Sequence, residues 1–174
     1  MAQPVRRLAT YADIEALPVG VTGEILNGEL YTHPRPRYSH ARVASNITRQ
    51  TGAFDRDTSG PNDPGGWAIL VEPELHLGTD VIVPDLAAWR VERATWADDA
   101  AFIDVAPDWC CEVLSPTTEV TDRAVKLPLY AHHGVTWAWL IEPDEKYLEV
   151  FKLDAGVLRQ HGPTQRGRVR VELP

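Results

Sequence analysis

The sequence predicts an α/β (α+β) domain in which a mixed β-sheet is flanked by helices and preceded by an N-terminal hairpin, and three observations lead to it. The stretch "GEILNGELYTH" holds two short runs joined at Asn27-Gly28, a pair that tolerates positive φ and so marks a tight hairpin. Farther along, "WAILVEPELHL", "DLAAWRV" and "WCCEVLS" are short apolar runs bounded by Pro or Gly, the pattern of central strands. Segments with helical spacing lie before and after those runs.

Thr10 with Asp13 has the form of an N-cap followed by an acidic first turn, and Pro18 stops this first helix near Leu17. After the hairpin, Ser39 is placed to cap a second helix, in which Ala41, Ala44, Ile47, Thr48 and Thr51 recur at helical spacing up to Gly52. "DRDTSGPNDPGG" is polar and rich in Pro and Gly, as a loop would be. Past the three strand runs, a helix is expected from about Thr121 to His133, with Gly134 at its C′ position. "TWAWLIEP", "YLEVFKL" and "VLRQHG" then form a meander with turns at "PDEK" and "DAG", and a last strand lies near "RVRVEL".

With 174 residues and 44% hydrophobic content, residues 1–174 fit one globular domain whose core can form without disulfides or structural metal. Cys110 and Cys111 are adjacent in an apolar run, so on a strand they point to opposite faces and cannot bridge each other. The longest uncharged apolar stretch, Leu127 to Ile141, is interrupted by His132, His133 and Gly134 and is too short to span a bilayer. No apolar core of signal-peptide length precedes the first acidic residues. A soluble cytoplasmic protein with no membrane partner is the expectation.

A net charge of −8 argues at first against a nucleic-acid partner, because phosphate contacts require clustered Lys or Arg. The distribution changes this. Leu30 to Phe54 contains no acid but has Arg35, Arg37, Arg42 and Arg49, and Ala155 to Val171 contains no acid but has Arg159, Arg166, Arg168 and Arg170. These windows carry +8 and leave 9 basic residues against 25 acidic ones elsewhere. They read either as ordinary solvated faces or as a polyanion-binding surface.

Two acidic residues fall inside apolar segments, Asp85 in "IVPDLAAW" and Glu112 in "WCCEVLSP", and Lys126 follows. A carboxylate buried without a partner costs several kcal/mol or shifts its pKa until it neutralises, so such residues are site candidates. Two carboxylates to hold a hard divalent cation and a lysine to supply positive charge form the skeleton of a metal-dependent phosphodiesterase centre. The 27 residues from Asp85 to Glu112 leave room for a strand, a connection and a neighbouring strand. Each residue also has a structural reading: Asp85 as a strand start, Glu112 as an outward-facing strand residue, Lys126 as a solvated helix residue. With only 3 lysines against 14 arginines, the chain does not use Lys as its usual surface cation, which favours a specific role for Lys126. Pro128 removes an amide bond to Ala124 and disfavours helix at Leu127, which predicts a kink just after Lys126. The six histidines have no zinc-ligand spacing, and Ser115 does not sit in a G-x-S-x-G elbow.

"GEILNGEL", "PRPRYSHARV", "VPDLAAW", "APDWCCEVLSPTTEVTDRAVKLPLYAHHGVTWAWLIEP" and "LEVFKL" resemble the Uma-type family of bacterial "putative restriction endonucleases", within the PD-(D/E)XK nuclease superfamily. The resemblance runs from Gly23 to Leu153. It implies a restriction-endonuclease-like fold and a Mg²⁺ or Mn²⁺ cofactor held by Asp85 and Glu112. In the superfamily's motif a lysine stands two residues after the second acid; Leu114 occupies that position, so the resemblance implies a lysine moved to the next helix as Lys126. Glu24 matches the auxiliary acid of an early element, with Glu29 as its close rival, and His40 matches a histidine of the family pattern.

The expected function is therefore that of a metal-dependent endonuclease acting on nucleic acid, with DNA favoured, in which Asp85, Glu112, Lys126 and Glu24 are catalytic and Arg35, Arg37, Arg42 and Arg168 contact the nucleic acid. A nuclease-fold protein without catalysis that serves binding or assembly is the alternative. A two-fold homodimer is expected from the need to cut two strands and from the apolar area that Trp137, Trp139 and Leu140 offer.

Overall fold

The computed structural model describes residues 7–33, 37–56, 65–97 and 99–167. In α1 (Tyr11–Glu15), the Thr10 backbone N–H donates to the Asp13 carboxylate at 2.8 Å, which closes the N-terminal turn that the sequence pattern anticipates. β1 (Thr22–Leu26) and β2 (Glu29–His33) pair antiparallel around Asn27 and Gly28, whose φ values are 53° and 76°. A Cβ on Gly28 would come within 2.8 Å of Leu8 Cδ2. The exposed Leu8 side chain can move aside, but the positive φ still favours glycine, so Gly28→Ala should cost about 1–3 kcal/mol. An unchanged urea midpoint for that variant would contradict this reading of the turn.

α2 (Tyr38–Thr51) begins earlier than Ser39 capping would allow, because the Arg37 carbonyl accepts the Ala41 N–H at 3.0 Å and draws Tyr38 and Ser39 into the first turn. The run "WAILVEPELHL" divides into β3 (Trp67–Val71) and β4 (Leu75–Leu77), which belong to different sheets. Glu72 takes a φ of 48° and Pro73 has no N–H to give a ladder, so the strand must break there. β5 (Asp80–Ile82), β6 (Leu86–Arg90) and β7 (Trp109–Val113) follow.

The expected helix after β7 starts at Glu119, not Thr121, because the Ser115 carbonyl already accepts the N–H groups of Thr118 and Glu119. It comprises α3 (Glu119–Thr121), a π-helical stretch at Asp122–Lys126, and α4 (Leu127–His132). Pro128 can give no amide to Ala124, and the chain passes from the wide π turn into α4 there without leaving helical conformation. β8 (Trp137–Glu142), β9 (Tyr147–Asp154), β10 (Val157–Gln160) and the short β11 (Gln165–Arg166) complete the chain's described elements. The "RVRVEL" strand falls outside the described residues.

The strands form a four-stranded sheet in the order β2-β1-β5-β4 and a seven-stranded sheet in the order β10-β9-β8-β7-β6-β3, with β11 beside β9. Within the larger sheet β7 and β8 are parallel, joined by the α3–α4 crossover, and its other pairs are antiparallel. One face of the large sheet, including Ala87, Trp89 and Cys110, packs with Leu26, Leu75 and Ile82 of the small sheet and with Leu129 and Tyr130 of α4. Its other face, including Leu86, Trp109, Cys111 and Trp139, packs against Ala44 and Ile47 of α2. The adjacent cysteines therefore do face opposite cores, both buried and free. Trp139 and Leu140 are buried within the chain, Trp139 edge-on to Trp109 and Leu140 against Leu114 and Leu127, so they offer no apolar area to a second copy. No helix among the described residues is long and apolar enough to cross a membrane.

Candidate active site

The register of β6 and β7 places Leu86 opposite Cys111 and Ala87 opposite Cys110. One step further sets Asp85 opposite Glu112, and alternation puts both on the face shared by Ala87 and Cys110, the face that α4 covers. The Val113 N–H donates to Asp85 Oδ2 at 2.7 Å and ties the two strands together at this point. Strand alternation thus delivers two carboxylates from neighbouring strands to one wall of a cleft of about 280 Å³, which Lys126 and Asp122 also line.

Lys126 reaches the acids from the π-helical stretch. Its Nζ lies 3.0 Å from Glu24, 3.2 Å from Glu112 and 3.8 Å from Asp122, and it donates to the Val83 carbonyl at 3.3 Å. All four charged side chains are buried, Glu24 completely. Burial pushes the Lys126 ammonium down, but Glu112, Glu24, Asp122 and Asp85 together hold it well above its usual value. Glu112 is driven the other way: burial raises its carboxyl well above the ordinary range against the opposing pull of Lys126, and Asp122, Asp85 and Glu24 add to the rise. Burial likewise lifts Asp122 to about 6, with Lys126 and the Thr118 hydroxyl opposing. For Glu24, burial raises the carboxyl, but Lys126, His33 and the Val83 N–H outweigh it and hold it below the usual value.

Asp85, just before β6, and Glu112, on β7, each have one heavily used oxygen. Asp85 Oδ2 accepts from the Val113 N–H and meets His40 Nε2 at 3.1 Å. Glu112 Oε1 accepts from Lys126 and from the Tyr130 hydroxyl. Asp85 Oδ1 and Glu112 Oε2 meet no hydrogen-bond partner among the described residues, so the site presents hard oxygen donors of the kind that fits Mg²⁺ or Mn²⁺. Among the described residues no three His, Cys, Asp or Glu side chains converge at metal-holding distances. Two carboxylates completed by water and substrate oxygens is a common arrangement for Mg²⁺.

His40, on the inner face of α2, is pushed down by burial but raised overall by its bond to Asp85 and by the charges of Asp85, Asp122 and Glu72. His33, at the end of β2, bonds Glu24. The structure brings together Asp85, Glu112, Lys126 and Glu24. Glu29 is not with them: it sits at the turn end of β2, opposite Leu26. Arg37 lines the cleft, Arg42 lies on the outer face of α2, and Arg35 and Arg168 fall outside the described residues. Sequence reasoning passed over Asp122, Tyr130 and His33. Asp122 and Tyr130 stand four residues before and after Lys126, a spacing that puts all three on one helix face.

The structure thus sets an acid pair carried by the large sheet against a lysine of the crossover helix, on a scaffold of two sheets. The chain belongs to the Uma2 family, whose model, described as "Putative restriction endonuclease", matches residues 8–173. Among solved structures it is similar to a crystal structure of "a putative nuclease belonging to DUF820" from Anabaena variabilis ATCC 29413, with a TM-score of 0.68 and 22% identity over 90% of this chain and 83% of that one. No curated protein matches the chain. Family and fold together support a nuclease function for the chain.

Proposed function

We propose that this protein is a Mg²⁺- or Mn²⁺-dependent endonuclease that hydrolyses phosphodiester bonds of DNA. The observation that carries the reading is Lys126 Nζ, buried and within 3.0–3.8 Å of three carboxylates, in the cleft that Asp85 and Glu112 share. Asp85 and Glu112 would hold the cation, which supplies Lewis-acid polarisation of the scissile phosphate and a lowered pKa for the attacking water. The Lys126 ammonium places positive charge where the pentacovalent oxygens develop theirs. Glu24, bridging Lys126 and His33, fixes the ammonium from below, while His40 and Tyr130 orient Asp85 and Glu112. Arg37, at the cleft wall, supplies a contact to a flanking phosphate.

Cutting both strands of a duplex needs two such centres, and a two-fold dimer would supply them. Light scattering near 19.4 kDa at micromolar concentration would remove the dimer from the proposal. The reading itself is tested by incubating the protein with supercoiled, linear and single-stranded DNA in Mg²⁺, Mn²⁺ or EDTA. Metal-dependent nicking or linearisation that EDTA stops is the expected result. No cleavage in any arm, together with no calorimetric signal for Mn²⁺ binding, would replace the nuclease with a binding or assembly role.

A further inference from the structure

The arginines of α2 choose different partners from five other arginines of the described residues. Arg7 pairs with Asp13, Arg93 with Asp108, Arg123 with Glu119 and Glu149, Arg159 with Asp154, and Arg166 with Glu145. On α2, Arg42 donates instead to the Tyr38 hydroxyl at 3.2 Å and Arg49 to the Asn46 side-chain oxygen at 3.1 Å, both neutral acceptors. Neither arginine reaches a carboxylate among the described residues, and Leu30 to Phe54 contains none to offer. Tyr38, Arg42, Ser45, Asn46 and Arg49 line one shallow groove, because positions three, four and seven apart share a helix face.

Two guanidiniums that meet only hydroxyl and amide groups, on a chain of net charge −8, form a surface complementary to a row of phosphates. Arg42 and Arg49 stand seven residues apart, about 10 Å along the helix axis. For a helix lying parallel to a duplex axis, that separation matches about three base-pair steps at ~3.4 Å of axial rise each. The opposite face of the same helix presents His40 to Asp85 at 3.1 Å. One rigid element thus holds the arginine row at a fixed offset from the cleft.

We propose that the outer face of α2 is a second contact surface for the substrate's phosphate backbone, with Arg42 and Arg49 gripping phosphates a few nucleotides from the bond that the cleft addresses. The inference rests on the nuclease reading for its substrate. It predicts a footprint longer than the cleft and a strong salt dependence that α2 carries.

Fluorescence anisotropy of a labelled DNA duplex, titrated with the full chain in EDTA over a range of salt, tests it. For the Arg42→Ala/Arg49→Ala double variant, the plot of log K against log salt should become shallower by roughly 2, since each phosphate contact contributes about 0.9. Its melting temperature and Mn²⁺ binding should match the wild type, and Arg159→Ala/Arg166→Ala, which removes carboxylate-paired arginines, should keep the wild-type slope. A wild-type slope in the α2 variant of a protein that still cuts DNA overturns the α2 surface and leaves the nuclease reading standing. A wild-type protein that neither binds nor cuts DNA overturns both.

Discussion

Replacing Lys126 with Met is expected to remove both turnover and a large part of the stability of the metal-free protein. Lys126 is the cation that Glu24, Glu112 and Asp122 share at 3.0, 3.2 and 3.8 Å, and all of them are buried. Taking away one partner of a buried ion pair leaves charge with no compensation and costs about 3–5 kcal/mol. For a domain of this size that corresponds to a fall in Tm on the order of 10 °C. Saturating Mn²⁺ should restore part of the loss, because a cation that binds only the folded site stabilises it by about 2.7 kcal/mol at a hundred times its Kd. Turnover at saturating Mn²⁺ should still be lower by roughly 10²–10³, the usual consequence of losing one preorganised group facing the transition state. Calorimetric melting with and without Mn²⁺ checks the first part and single-turnover cleavage the second. A variant that melts like the wild type without metal would contradict the role of Lys126 as the shared counter-ion; one that cuts at the wild-type rate would contradict its catalytic role.

How far the sequence revealed this site depended on whether a residue broke its local pattern. Asp85 and Glu112 stood out because a carboxylate inside an apolar strand has to be partnered, and β6 and β7 bring them to one cleft. Asp122 gave a weaker signal: near a helix N-terminus an acid is ordinary, and its four-residue spacing from Lys126 reads as a common helix-surface pair, whereas here both side chains are buried. Tyr130 lies among Leu127, Leu129 and Ala131 and reads as core, which its ring is; the hydroxyl alone belongs to the site. Most strands of the large sheet followed directly from apolar runs and turn residues. The division of "WAILVEPELHL" between two sheets did not, because a proline in an apolar run marks a break without saying that the chain then changes sheets. Trp139 and Leu140 do not provide free apolar area, since α2 and Trp109 cover one face of β8 and Leu114 with the crossover helix covers the other.

Asp85→Asn and Glu112→Gln are expected to abolish cleavage while leaving the fold intact, with Tyr130→Phe as an intermediate case that separates ligand from support. Each of the first two keeps the side-chain shape and removes the charge that would hold the cation. Gln at 112 still offers an oxygen to the Tyr130 hydroxyl and to Lys126, and it relieves the repulsion among Glu112, Asp122, Asp85 and Glu24. The metal-free Glu112→Gln protein should therefore melt at or above the wild-type temperature, the opposite direction to Lys126→Met. Asn at 85 keeps an acceptor for the Val113 N–H but loses the carboxylate that faces His40. Tyr130→Phe retains the buried ring and deletes only the bond that fixes Glu112, so its Mn²⁺ affinity should fall by the ~10–100-fold typical of losing a group that orients a ligand. Direct ligand substitution should cost more than that. Mn²⁺ titration calorimetry of the three variants orders them, and a Glu112→Gln protein that binds Mn²⁺ as tightly as the wild type would show that Glu112 is not a ligand.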